Sequence, residues 1–470
     1  MDRTLRALNR FGLGARVGER RRIRDPRGWL RAQLEGAVPI ATVADIASPQ
    51  NVADALRAHR AAARSPEERR RARQHLNAIT MAEARAALGM RVVSQRPFVE
   101  RLVAFWSNHL CVSAGARVLV GPLAGSYERD VIRRHTLGRF EDMVLASAKH
   151  PAMLLYLDNA QSIGPRSRGA QRGRAGGAQR GLNENYAREL LELHTLGVSG
   201  GYTQQDVQEL AKILTGWTVR GLARRGEARR AGMGRRRQRD AQPLTNESNG
   251  PIEFVFREQL HEPGIKTVLR TQYSEEGVSE GEGVIRALCR HPSTARFVAS
   301  KIVTHFIADD PPAAAVERLS RVFRETDGDL RMLASALVET PEAWREDTRK
   351  FRTPQDWLVA VLRAFDAPDV PDSAAIVLRQ LRHPLWSPQA PKGFADAVQD
   401  WADPDALLNR AELARTIARR VADGAPDPKA LLDAVELRAD DPLRTLVNDT
   451  SISADERIAL AIASPAFQWR

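Results

Sequence analysis

The sequence predicts a mainly α-helical, irregular multi-helical globular protein with one small β-hairpin near residues 252–269 and two basic insertions expected to be disordered. Three observations predict it. Alanine and arginine, both strong helix formers, are abundant, and aromatic residues make up only 6% of the chain. Apolar residues recur at helical spacing in many segments that open on Ser, Asn or Pro. Strict alternation is confined to one stretch, where Ile252, Phe254 and Phe256, then Ile265, Thr267 and Leu269, flank the turn signal Pro263-Gly264.

In chain order, the amphipathic segment Leu5-Leu8-Phe11-Leu13 comes first. A turn at Asp25-Pro26-Arg27-Gly28 then precedes a helix carrying Trp29, Leu30 and Leu34. Asn51 to Arg64 reads as a helix, and Ser65-Pro66-Glu67-Glu68 caps a long one through Met90. Pro97 opens another to Leu110, with Phe98, Leu102, Phe105 and His109 on one face. His150-Pro151 starts a segment that ends at Asp158-Asn159. From residue 280 on the pattern is helical again, broken by the proline-rich connection His383 to Phe394. The expected organisation is a single unit. It comprises an N-terminal helical half (1–160), a central αα-hairpin (183–217) and a C-terminal helical half (277–470), with insertions at 161–182 and 221–250.

Those insertions hold nearly all of the formal charge of +13. Gln161 to Leu182 has five Arg and no acid, and Gly221 to Ala241 has eight Arg against Glu227 and Asp240. Such tracts bury no core. They also lack the interleaved aromatics that stack on bases, so non-specific electrostatic contact with nucleic acid is open and specific recognition is not expected. Cys111 and Cys289 are the only cysteines, which excludes a disulfide framework or a cysteine zinc site. No apolar run reaches about 18 residues, so no membrane span is expected. Charged residues interrupt the first 34 positions, no signal peptide is legible, and the chain as written is expected in the cytoplasm. Motifs for nucleotide cofactors, a serine nucleophile or a zinc helix are absent. The sequence identifies neither a cofactor nor a metal.

The densest polar pattern lies at Asn183 to Trp217. Asn183 and Gly197 read as the caps of a helix of about 13 residues. On it Asn185, Arg188, Glu189 and Glu192 share one face, and Tyr186, Ala187, Leu190, Leu191 and Leu193 the other. Thr203-Gln204-Gln205-Asp206 resembles a capping box for a second helix, with Val207, Leu210, Ala211, Leu214 and Trp217 as its apolar stripe. The polar face reads in two ways. It is either a site, with Glu189, Glu192, Arg188 and His109 as catalytic candidates, or a solvated face with Arg188 paired at i±4. His194 lies on the apolar arc and faces another element, as a core histidine or a ligand. Asp158, Asn159, Asn183, Asn185, His194 and the loop residue His261 are candidate binding groups. His109 or His261, and Asp158 or Asn159, are expected to converge on Glu189 or Glu192.

Residues Asn183-Glu184-Asn185-Tyr186-Ala187-Arg188-Glu189-Leu190-Leu191-Glu192-Leu193-His194-Thr195-Leu196-Gly197, with Gly201-Tyr202-Thr203, Asp206-Val207 and Thr215-Gly216-Trp217, resemble the signature of the bacterial "domain of unknown function 1800" family. Agreement extends over the chain, through Asn9-Arg10-Phe11-Gly12, Phe105-Trp106 with Asn108-His109, Leu157-Asp158-Asn159, His261 with Gly264 and Lys266, His305-Phe306 and Pro465-Ala466-Phe467-Gln468. Ser107, the Trp386 to Ala390 stretch and the two Arg tracts depart from the family pattern. The resemblance implies no established chemistry. Many relatives look exported, and many lie beside genes of the "domain of unknown function 1501" family, which makes such a protein the implied partner. Three functions follow as expectations. The first is a helical binding or accessory protein, the second a metal-assisted hydrolase using Glu189 and Glu192 with histidines from other elements, and the third a non-specific nucleic-acid binder.

Overall fold

A computed structural model describes residues 2–40, 46–62, 65–175, 181–222, 250–421, 427–437 and 440–470. Helix accounts for 61% of the described residues, and among them the sheet structure amounts to two small antiparallel pairs of strands, so the mainly helical class stands. The caps are those the sequence announces. Ser65 Oγ accepts the Glu68 N–H and Pro66 opens α1 (Pro66–Val93). Pro97 opens α2 (Pro97–His109). The central stretch forms α3 (Asn185–Glu189) and α4 (Gln204–Ile213). The C-terminal half contains α5 (Val278–Arg290), α6 (Pro292–Phe306), α7 (Pro354–Ala364) and α8 (Pro404–Val421).

Two local expectations change. The second central helix stops at Ile213, and Trp217 begins β1 (Trp217–Arg220) instead of ending the helix. Gly216 makes the break, because its φ is +82° and a Cβ there would sit 2.8 Å from the Arg257 carbonyl oxygen. β1 pairs with β2 (Glu253–Phe256), and β3 (Lys266–Val268) pairs with β4 (Thr271–Tyr273). The stretch 252–269 is therefore not one hairpin closed on itself. Its first strand takes a partner from beyond the second insertion, and its second turns back through Leu269 and Arg270, both at positive φ (48° and 65°). Such turns usually announce themselves by Asn or Gly.

The first insertion is partly built into the fold, contrary to the expectation of disorder. A helix runs from Arg168 to Ala175, and Ile163 and Ala170 pack with Leu260. Arg166 donates through its backbone N–H and its Nε to the two oxygens of buried Glu262, at 2.8 and 2.6 Å. The charged bulk of the second insertion, 223–249, lies outside the described residues.

One apolar core gathers Phe11, Phe98, Trp106, Phe140, Leu190, Trp217 and Phe306, and a second gathers Leu8, Leu13, Trp357, Leu378, Ile458 and Phe467. The N-terminal segment thus feeds both. Between them lie buried arginines that donate to main-chain carbonyls. Arg101 Nε reaches Gly12 O at 2.6 Å, Arg363 Nε reaches Gly14 O at 2.9 Å and Arg352 Nη1 reaches Phe467 O at 2.7 Å. Arg470 donates to Arg10 O at 3.2 Å and to His305 O at 2.9 Å. A guanidinium has five donors in a fixed fork, which suits it to satisfy carbonyls that irregular backbone leaves free. These clamps join the two ends of the chain beneath a cleft.

Candidate functional site

The face of α3 is half-buried. Arg188 spans Glu184 at 3.4 Å and Glu192 at 3.6 Å, and donates to Gln204 Oε1 at 2.9 Å. Glu192 also shares a hydrogen bond with Tyr202, whose hydroxyl burial pushes up to about 12. Among the described residues Glu189 makes no hydrogen bond or ion pair, and its carboxyl is raised by burial and by neighbouring Glu192. The helix departs from expectation after Glu189, where it widens. Leu190–His194 is a π turn, closed by Thr195 Oγ1 donating to Leu190 O at 2.6 Å.

The other sequence-predicted residues bond elsewhere. His109 Nε2 meets the carbonyl of His194 at 3.2 Å, with both rings buried and held neutral, at about 3 and about 4. Asn159 donates to Leu214 O and Trp217 O, each at 3.1 Å. Asn183 Nδ2 donates to Asp158 O at 3.3 Å, and Asn185 Nδ2 to Leu157 O at 3.4 Å. Asp158 faces outward and pairs with Arg117. These amides tie the start of α3 to the end of the helix Pro151–Tyr156. His261 Nδ1 lies 2.9 Å from Thr215 O, and its Nε2 lies 2.9 Å from Glu280 Oε2 and 3.2 Å from Lys266 Nζ. That buried trio fastens the β3 loop to α5. Neither His109 nor His261 hydrogen-bonds Glu189 or Glu192. Among the described residues no group of three or more His, Cys, Asp or Glu side chains is arranged to hold a metal ion.

A small solvent-open cleft, with about 70 Å³ of enclosed space, lies beside α2. Its walls are α2, the start of α7 and the proline-rich loop 383–396. Leu13, Val359, Leu385 and Phe394 supply the apolar wall, and Asn108, His305, Gln355, Asp356, His383 and Asp396 the polar one. The loop is zipped to the end of α2. Asn108 makes paired bonds with the Phe394 backbone at 2.8 and 2.9 Å, Ser113 Oγ donates to Pro388 O at 2.8 Å, and Cys111 Sγ donates to Pro391 O at 3.1 Å. Gly393 permits this approach, with φ +79° and only 2.5 Å between a built Cβ and Asn108 O.

The electrostatics of the cleft are uneven. Burial opposes the Asp356 charge, but Arg101 at 3.0 Å and Arg470 at 3.3 Å hold its carboxyl well below the usual range. His305 Nδ1 lies 2.7 Å from Asp396 Oδ2, while His305 Nε2 is buried with no hydrogen-bond partner among the described residues. Burial lowers the His305 ring from its ordinary value despite Asp396. Burial opposes the charge on Asp396, and His305 and Lys350 outweigh it. Cys111 is pushed up to about 12 by burial and stays a thiol. Sequence reading missed this site. His305 read as an inner-face helix residue, and Asp356 and Asp396 carried no motif.

No curated protein and no solved structure matches the chain. A family model described as "Protein of unknown function (DUF1800)" matches residues 6–469, and the chain belongs to that family.

Proposed function

We propose that the protein is a binding protein acting with a partner chain, and that its ligand occupies the cleft between α2, the start of α7 and the 383–396 loop. The supporting observation is the convergence of His305, Asp356 and Asp396 on a partly apolar recess. Few polar groups set among apolar walls are the usual make-up of a small-ligand site. Asp356 is already compensated by Arg101 and Arg470, so the polar wall favours an uncharged ligand that can hydrogen-bond. The face of α3, whose ion pairs are local and half-exposed, supports binding less well. A protein of the "domain of unknown function 1501" family is the partner this reading names.

The test is thermal unfolding of the full chain with a panel of uncharged hydroxyl compounds and esters. Wild type is compared with Ala104→Phe, which fills the cleft from α2. The reading expects compounds that raise the wild-type melting temperature and leave the variant unmoved. Equal shifts in both proteins, or none in either, count against it.

A further inference from the structure

We propose that the cleft is an acid–base site in which His305, oriented by Asp396, activates water against an uncharged carboxylic ester. This inference rests on the cleft being a ligand site and adds a reaction to it. The geometry distinguishes His305 from His109 and His261, the two buried histidines expected to converge on Glu189 or Glu192. His261 uses both ring nitrogens on Thr215, Glu280 and Lys266. His109 bonds a carbonyl and has no carboxylate on its ring. His305 alone of these three combines a carboxylate on Nδ1, an Nε2 unpartnered among the described residues and a place in the cleft wall. A histidine fixed through Nδ1 presents Nε2 as the base.

The pair is held from both sides. Arg470 donates to the His305 carbonyl at 2.9 Å, and Lys350 Nζ donates to the Asp396 carbonyl at 2.6 Å. Val398 N–H, two residues on, donates to Asp309 Oδ2 at 2.7 Å. Water is the nucleophile, because Cys111 remains a thiol engaged with Pro391 O and Ser107 Oγ is engaged with Glu128. Asp356 is compensated by Arg101 and Arg470, so an uncharged acyl group needs no further counter-charge there. An ester is favoured over an amide because an alcohol departs with less help from a proton donor.

His305 Nε2 takes a proton from water as the water oxygen bonds to the ester carbonyl carbon, and the carbonyl π pair moves to its oxygen. Collapse of that intermediate breaks the bond from carbon to the alkoxy oxygen. The proton on His305 Nε2 goes to the departing alcohol. Ester and water become acid and alcohol, with no change of oxidation state.

The test uses the full chain with the uncharged esters p-nitrophenyl butyrate and p-nitrophenyl acetate, comparing wild type with His305→Ala and Asp396→Asn. A positioned base contributes about 100-fold or more, so His305→Ala should lose about that much kcat and regain part with added imidazole. Asp396→Asn should lower kcat with little change in KM. The wild-type rate should rise with pH through a midpoint below His305's ordinary value of about 6.5. The charged groups that set it are Asp396, Asp356, Arg101, Arg470 and, one turn back on α6, Lys301. Equal hydrolysis by wild type and His305→Ala, or no hydrolysis of either probe, overturns the proposal. Thermal shifts with the same probes separate the two failures. A probe that binds wild type and not Ala104→Phe, yet is not cleaved, leaves the binding reading standing. A probe that neither binds nor reacts removes both.

Discussion

Arg101 Nη1 donates to Asp356 Oδ2 at 3.0 Å, and Arg470 Nε lies 3.3 Å from the same oxygen. One carboxylate thereby joins α2, α7 and the C-terminal residue under the cleft. Removing it leaves two buried guanidinium groups short of a counter-charge. Asp356→Asn should therefore cost about 3–5 kcal/mol in urea unfolding at pH 7, the usual cost of breaking a buried pair. The Asp356 carboxyl is depressed in the fold, so its contribution is complete above the unfolded value of about 3.9 and fades as pH falls below it. The gap between wild type and variant should accordingly narrow at pH 3. A gap of the same size at both pH values would contradict this pairing.

Glu189 gives the opposite sign. Burial and Glu192 raise its carboxyl, so the folded state holds the proton more tightly than the unfolded chain. Its charge costs stability progressively as pH rises above about 4.3. Glu189→Gln should leave the melting temperature equal at pH 4 and slightly higher than wild type at pH 8. A marked loss of stability at pH 8 would mean that Glu189 has a partner in solution.

Lys266 and Glu280 are each buried, with Nζ 3.2 Å from the carboxylate. Lys266→Met should destabilise by about 3–5 kcal/mol, read by chemical denaturation. The Lys266→Met/Glu280→Gln double variant should recover part of that loss. Simple additivity of the two single changes would show that the pair is not coupled.

Gly393→Ala places a methyl group against Asn108 in a left-handed backbone conformation. The substitution should cost at least about 1 kcal/mol and expose the 383–396 loop to limited proteolysis. Unchanged protease resistance would show that the loop seat tolerates the methyl group.

The helices were legible where caps and periodicity agree, as at Ser65-Pro66 and Pro97. The strand at Trp217 was not, because Val207, Leu210, Ala211, Leu214 and Trp217 keep helical spacing to the end, and only the backbone at Gly216 breaks it. β1 and β2 were hidden for a second reason, since their partners lie some 33 residues apart across the second insertion. Arg166 read as part of a charge tract because its partner, Glu262, is distant in sequence. The cleft was opaque for the same reason. His305 and Asp396 are 91 residues apart, and Arg101 and Asp356 are 255 apart. Conversely the polar density of α3 was legible, but sequence spacing cannot tell a convergent site from a face whose amides bond backbone and whose arginine bonds its own helix.

The central claim is that the ligand site is the cleft and not the face of α3. Crystallographic soaking of small uncharged esters and polyols into the full chain tests it most directly. The account predicts bound density between α2 and the 383–396 loop, with a polar atom within hydrogen-bond distance of His305 Nε2. Density confined to the surface of Glu189 and Glu192, with the cleft holding only water, would contradict it.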